Sequence, residues 1–142
     1  MSATVAFDDV EVGTALPGRT FSVHRGDLVR YAGASGDFNV IHWNERVAKE
    51  VGLPDVIAHG MFTMAEAIQV VTDWVGDPGA LVEYGVRFTR PVPVPDDDSG
   101  ATLVVSAAVT EKLADRRVKV ELKALCNDQK VLGMARAVVQ LT

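Results

Sequence analysis

Gly60-Met61-Phe62-Thr63-Met64-Ala65-Glu66-Ala67-Ile68-Gln69-Val70-Val71-Thr72-Asp73-Trp74-Val75-Gly76 is the longest apolar-rich helical pattern in the chain. Met61, Met64, Ala65, Ile68, Val71 and Val75 recur at steps of three and four, while Glu66, Gln69 and Asp73 mark another face. Phe62, Ala67, Val70 and Trp74 add apolar surface off the main stripe, so the helix is expected to be buried on most sides. Gly76 supplies a left-handed stop, and Pro78 blocks continuation. Gly60 stands at the helix entrance, where backbone N–H groups lack partners and the dipole is positive. A glycine there either lets a ligand oxygen approach the amide or simply permits a sharp turn.

A helix of this kind needs a surface to cover, and the rest of the chain provides one. Downstream, Leu81 to Thr89, Ala101 to Lys112, Arg117 to Cys126 and Val131 to Leu141 read as strands. Ala114-Asp115-Arg116 and Asn127-Asp128-Gln129 are placed as the turns between successive pairs. Pro91, Pro93 and Pro95, followed by Asp96-Asp97-Asp98-Ser99-Gly100, read as an exposed connection. Upstream, Thr20 to His24 begins with strand-like alternation. Asp27 to Ala34 reads as a short helix with Leu28, Val29 and Tyr31 on its apolar side. Asn44 is an N-cap for Glu45 to Val51, which Gly52 closes. Four or five antiparallel strands must cover their apolar face with the helix from Gly60, which gives an α+β class. No repeat or linker interrupts residues 1–142, which read as one domain.

Between these elements lies Ser35-Gly36-Asp37-Phe38-Asn39-Val40-Ile41-His42, where a carboxylate, a carboxamide and an imidazole fall within six residues. Polar groups with apolar spacers in this order suit neither a plain helix nor a plain strand. A half-buried loop can hold them and aim each group with its backbone. Asp and His so held form a general acid/base pair around one water, the carboxylate fixing the imidazole tautomer. The same Asp-x-Asn spacing also serves as an Asx-type turn that caps a following helix.

Composition narrows the classes. A chain of 142 residues with 48% hydrophobic content can bury roughly two-thirds of its unfolded surface in one core. No stretch of about twenty apolar residues suggests a membrane span. Met1 to Asp9 lacks a basic region followed by an apolar run, which argues against a signal peptide. A cytoplasmic location is the expectation. The one cysteine, Cys126, falls in a strand pattern and reads as a buried spectator. Three histidines without zinc-type spacing give no metal site. A net charge of −5 disfavours nucleic acid as a partner.

Tyr31, the stretch Ser35 to His42, and Ala58-His59-Gly60-Met61 together resemble the hydratase signature of MaoC-like hot-dog proteins. That family includes (R)-specific enoyl-CoA hydratases and (3R)-hydroxyacyl-ACP dehydratases. The resemblance runs on through Trp74-Val75-Gly76-Asp77-Pro78-Gly79 and Val86-Arg87-Phe88-Thr89-Arg90-Pro91-Val92. In length, in Trp74-Val75-Gly76-Asp77-Pro78-Gly79-Ala80 and in Val92-Pro93-Val94-Pro95, the chain most resembles the beta (HadB) subunits of actinobacterial dehydratases. It departs from the family in carrying Val40 where proline is usual.

The resemblance implies a single hot-dog domain, a curved antiparallel sheet wrapped around one long central helix. It implies reversible hydration of a trans-2-enoyl thioester, carried by CoA or acyl carrier protein, to a (3R)-hydroxyacyl thioester in fatty acid elongation or degradation. Asp37 and His42 would be the catalytic pair, and Asn39 would position the carboxylate or the water. The N–H of Gly60 would receive the thioester oxygen. Neither cofactor nor metal is implied. A homodimer, or a heterodimer with a sister hot-dog subunit, would place the site at the subunit boundary. Ser35 and His59 read as supporting residues, the first for the turn and the second for the helix entrance. Tyr31 and Trp43 read as packing the loop. Arg87, Arg90, Arg116 and Arg117 are either solvated charges or contacts for carrier phosphates. The alternatives are a hot-dog acyl thioesterase and a non-catalytic acyl-binding subunit of a heteromeric dehydratase.

Overall fold

The computed structural model describes residues 3–142; Met1 and Ser2, which open the segment read for a leader, lie outside the described residues. Strand β1 (Arg19–Val23) leads into helix α1 (Arg25–Ser35) and then the 3-10 turn Val40–His42. Helix α2 (Glu45–Glu50) and the long helix α3 (Gly60–Val75) follow. Strands β2 (Leu81–Phe88), β3 (Ala101–Leu113), β4 (Arg117–Cys126), β5 (Gln129–Lys130) and β6 (Leu132–Gln140) complete the order. The sheet has six strands rather than four or five. Its order is β1-β3-β4-β6-β2, with β5 pairing β4 off that path, and every pairing is antiparallel. This is the hot-dog arrangement: the sheet curves around α3, which lies against β2, β3 and β4.

The hairpin turns follow from local chemistry. Asp115 and Arg116 between β3 and β4, and Asn127 and Asp128 between β4 and β5, all hold positive φ. Two consecutive residues of that kind make a turn whose twist matches paired strands. Alternation on β3 and β4 sends Leu103, Val105, Val109, Val120 and Leu122 inward, where they join Ala67, Val70, Val71 and Val75 of α3 in one core. Gly76 ends the helix with φ 77° and its N–H on the Thr72 carbonyl.

Three expectations change. The buried face of α3 is Thr63, Ala67, Val70, Val71 and Val75, whereas Met61 and Ala65 are exposed. Two apolar stripes adjoin on this helix, and the sheet takes the one richer in β-branched and small side chains. On α1, Leu28 and Ala32 are buried while Val29 faces solvent. The proline-rich connection is not exposed throughout. Val92 and Val94 are buried, and the segment pairs with residues 56–58 through Ala58 N–H to the Val92 carbonyl (2.9 Å) and Val94 N–H to the Val56 carbonyl (2.8 Å). Prolines donate nothing, yet the valines between them keep donors and acceptors for an edge-like ladder.

Among the described residues, no helix is long and apolar enough to cross a membrane. Cys126 is buried and free, and burial pushes its thiol up from the ordinary value.

Candidate active site

The loop after α1 is tied by side chains acting on the backbone two residues ahead. Ser35 Oγ accepts from the Asp37 N–H (3.1 Å), Asp37 Oδ1 from the Asn39 N–H (3.1 Å), and Asn39 Oδ1 from the Ile41 N–H (3.3 Å). Each step is an Asx- or Ser-type turn, and the last one caps the 3-10 turn that carries His42. Two rings fasten the loop from outside. Trp43 Nε1 donates to the Phe38 carbonyl (3.0 Å), and His59 Nε2 meets the Asp37 carbonyl at 3.1 Å.

His42 is buried, and its Nδ1 lies 2.6 Å from the Ile57 carbonyl. A carbonyl only accepts, so Nδ1 carries the proton and Nε2 presents a lone pair. That Nε2 faces Asp37 Oδ2 at 3.9 Å, with the Asp37 carboxylate half exposed. The separation is too long for a direct hydrogen bond and leaves room for one oxygen at about 2.8 Å from each group.

His59 is the N-cap residue of α3, is 1% exposed, and stacks on His42 with ring centroids 3.8 Å apart and planes at 24°. Tyr31 covers its other side at 4.8 Å. Its Nδ1 is buried without a partner among the described residues. Burial holds its pKa below the ordinary histidine value, the hydrogen bond to Asp37 opposing that shift in part.

Gly60 opens α3, and its N–H meets no acceptor among the described residues. A side chain there would begin 3.0 Å from the Phe88 ring, so anything larger than glycine must push that ring aside. His42, Gly60, Thr63, Ile57, Phe88 and Arg90 are among the residues lining a cavity of about 370 Å³, of which Asp37 is not a wall residue.

The structure thus brings Ser35, Asp37, Asn39, His42, His59 and Gly60 into one neighbourhood. Asn39 Oδ1 accepts from the Ile41 N–H, and among the described residues its side chain makes no hydrogen bond to the Asp37 carboxylate, one of the two groups, carboxylate or water, that it was expected to position. The Ile57 carbonyl that orients His42 has no signal in the sequence, because any residue offers a carbonyl. Phe88 was visible only as part of a strand. Asp37, His42 and His59 place possible ligand atoms within 4.8 Å of one another. Two nearly parallel stacked imidazoles do not aim their in-plane lone pairs at one point. The set fits proton handling and does not fit tetrahedral coordination.

Comparison with known proteins gives a consistent picture. The family described as the MaoC like domain matches residues 10–126. A 3-hydroxyacyl-thioester dehydratase X of Mycobacterium tuberculosis is 40% identical over 79 residues, covering 56% of this chain and 27% of that protein. An (R)-specific enoyl-CoA hydratase of Rhodospirillum rubrum is 33% identical over 108 residues, covering 75% of this chain and 73% of the other. Among solved structures, a MaoC-like dehydratase superposes with TM-score 0.95 at 41% identity, over 99% of this chain and 43% of that one. The chain therefore spans about a quarter of the first relative and under half of the solved protein.

Proposed function

The chain belongs to the MaoC-like domain family, and from that premise we propose that it catalyses the reversible hydration of trans-2-enoyl thioesters to (3R)-hydroxyacyl thioesters. The acyl group would be carried by CoA or acyl carrier protein, in the cytoplasm, with all 142 residues working as one domain. The observation that carries the reading is the Asp37–His42 pair, 3.9 Å apart, beside the unpartnered amide of Gly60.

In the dehydration direction the pair begins with one proton, on Asp37, and a neutral His42. Nε2 of His42 takes the proton from the alpha carbon of the thioester. The electrons move onto the thioester oxygen, where the Gly60 N–H and the positive end of α3 stabilise the charge. One such donor is worth roughly 3 kcal/mol in comparable sites. The enolate then expels the hydroxyl at carbon 3, which leaves as water with the proton of Asp37 Oδ2. Transfer of the histidine proton to the carboxylate restores the pair. In hydration the same water sits between the two groups and the steps reverse. The buried setting of His42 and the apolar cavity wall keep other water away from the enolate.

We also infer a dimer, either of two identical chains or with a sister hot-dog subunit. β2 is an edge strand with Val82 and Phe88 exposed, and the outer stripe of α3 leaves Met61 and Ala65 uncovered. Pairing would cover both.

The test is absorbance-monitored hydration of crotonyl-CoA by the purified chain. Asp37→Asn and His42→Ala should each lower kcat by about a hundredfold or more, as loss of acid/base catalysis does, with unchanged circular dichroism. Near-normal turnover in both folded variants would dismiss the mechanism. Release of free thiol from crotonyl-CoA would instead favour a thioesterase.

A further inference from the structure

Four arginines in this chain are chemically able to meet a phosphate, and the structure separates them. Arg116 is occupied by Asp8 (3.1 Å) and the Thr142 carbonyl (2.8 Å), and Arg117 by Gln140 (3.2 Å), at the β3–β4 turn. Arg87 lies on β2 and is not part of the wall of the catalytic cavity. Arg90 is. It is the one formally charged side chain among the lining residues, which otherwise present Leu53, Ile57, Phe88, Val92 and Leu132 along with a few small groups.

Arg90 is also unspent. It pairs with no carboxylate among the described residues. Its single side-chain contact is a long one, Nη1 to Gln129 Oε1 at 3.4 Å. An exposed guanidinium with free donors, in a chain of net charge −5, lines the same cavity as His42. The fork of donors on a guanidinium matches phosphate oxygens.

Resting on the thioester reading of the site, we propose that Arg90 binds the phosphate of the 4′-phosphopantetheine arm, and so is the residue that recognises the carrier. A thioester substrate has two ends, an acyl end that is apolar and a carrier end whose first charged group is that phosphate. An apolar cavity with one cation in its wall distinguishes the two ends. It orients the sulfur side toward Arg90 and leaves the acyl group to lie on the other side of the Asp37–His42 pair. Because CoA and acyl carrier protein share the phosphopantetheine phosphate, one arginine serves both.

The experiment compares crotonyl-CoA, crotonyl-phosphopantetheine and crotonyl-pantetheine, which have the same thioester with and without phosphate, on the wild-type chain and on Arg90→Ala and Arg90→Lys. The ratio of kcat/KM for crotonyl-phosphopantetheine to that for crotonyl-pantetheine should fall about tenfold in Arg90→Ala, the scale of one hydrogen bond to a charged group. Lysine should restore part of the ratio, and added salt should shrink the difference. An unchanged ratio overturns the proposal. So does a loss confined to crotonyl-CoA, which would point to the nucleotide phosphates. A loss confined to an enoyl-pantetheine ending in a carboxylate also overturns it, assigning Arg90 to the acyl end. Calorimetric binding of free phosphopantetheine and of pantetheine provides a readout that needs no turnover. If the wild-type chain hydrates nothing yet binds phosphopantetheine more tightly than pantetheine, and Arg90→Ala narrows that gap about tenfold, the hydratase reading fails and the phosphate site stands.

Discussion

Replacing His59 by phenylalanine separates what its ring does from what its nitrogens do. Phenylalanine keeps a flat ring between Tyr31 and His42, and it removes the Nε2 contact to the Asp37 carbonyl at 3.1 Å. One lost neutral hydrogen bond costs about 1 kcal/mol, while the buried unpartnered Nδ1 that disappears with it had a penalty of about 1–3 kcal/mol. Stability at pH 8 should therefore hold level or rise, by about 0–2 kcal/mol. The expected catalytic consequence is larger, because the freed carbonyl belongs to Asp37, the acid of the proposed mechanism. A displacement of about 1 Å at a reacting group can lower the rate on the order of a hundredfold, so kcat should fall roughly ten- to a hundredfold with KM little changed. The pH dependence gives an independent sign. Burial lowers the folded-state pKa of His59 below the ordinary histidine value. Above that value the residue is neutral in both states and contributes no pH dependence. Below it the unfolded chain binds a proton that the folded chain does not, so wild-type stability should decline with falling pH. The slope is at most about 1.4 kcal/mol per pH unit, and it ends once the folded-state pKa is passed. Urea unfolding at pH 8 and pH 5 should show this decline reduced in His59→Phe and in His59→Gln. The glutamine, which keeps an N–H donor without a titrating ring, should recover part of kcat. A phenylalanine variant with wild-type kcat, or with an undiminished loss of stability toward pH 5, would refute this account of His59.

Val40 occupies the first position of the 3-10 turn that carries His42, and Asn39 before it has φ −54° and ψ 127°, a backbone that tolerates a following proline. Val40→Pro should raise stability by about 0.4–1 kcal/mol in urea unfolding, by restricting the unfolded chain. Tyr84 donates its hydroxyl proton to the Met64 carbonyl at 2.9 Å, linking β2 to α3, and its burial pushes the phenol up. Tyr84→Phe should lower stability by about 1 kcal/mol in the same assay and leave turnover near wild type. Gly60→Ala places a methyl group 3.0 Å from the Phe88 ring. Since Phe88 is half exposed and can yield, the chain should fold, with KM for crotonyl-CoA raised about tenfold and kcat affected less because the amide remains.

The fold was legible wherever a single period decided it. Gly60–Val75 with Gly76 beyond it, and the alternating runs that became β3 and β4, left one solution each. Legibility failed where two faces of one element were both apolar. Met61 and Met64 satisfy the helical period as well as Ala67 and Val70 do, and only the shape of the sheet selects between them. It failed again for Val92 and Val94, whose burial depends on a ladder with residues 56–58 that lies more than thirty positions away. The Ile57 carbonyl beside His42 is the same kind of case, a backbone group whose role is assigned by tertiary placement alone.

The candidate site was legible in its chemistry, yet the sequence presented Asp37 as a choice between a turn-forming residue and a catalytic one. The two roles are compatible, because a carboxylate has two oxygens and the loop uses one. Oδ1 accepts the Asn39 N–H and makes the turn, while Oδ2 remains turned toward His42. The turn is what aims the acid: Ser35 fixes the amide of Asp37, Asp37 fixes that of Asn39, and Asn39 fixes that of Ile41. The imidazole one residue further on inherits its position from all three bonds. On this argument Asn39→Asp, which keeps the accepting oxygen, preserves the aim of both reacting groups. Asn39→Ala breaks the last bond of the relay without touching either of them, so its effect on turnover comes through geometry alone.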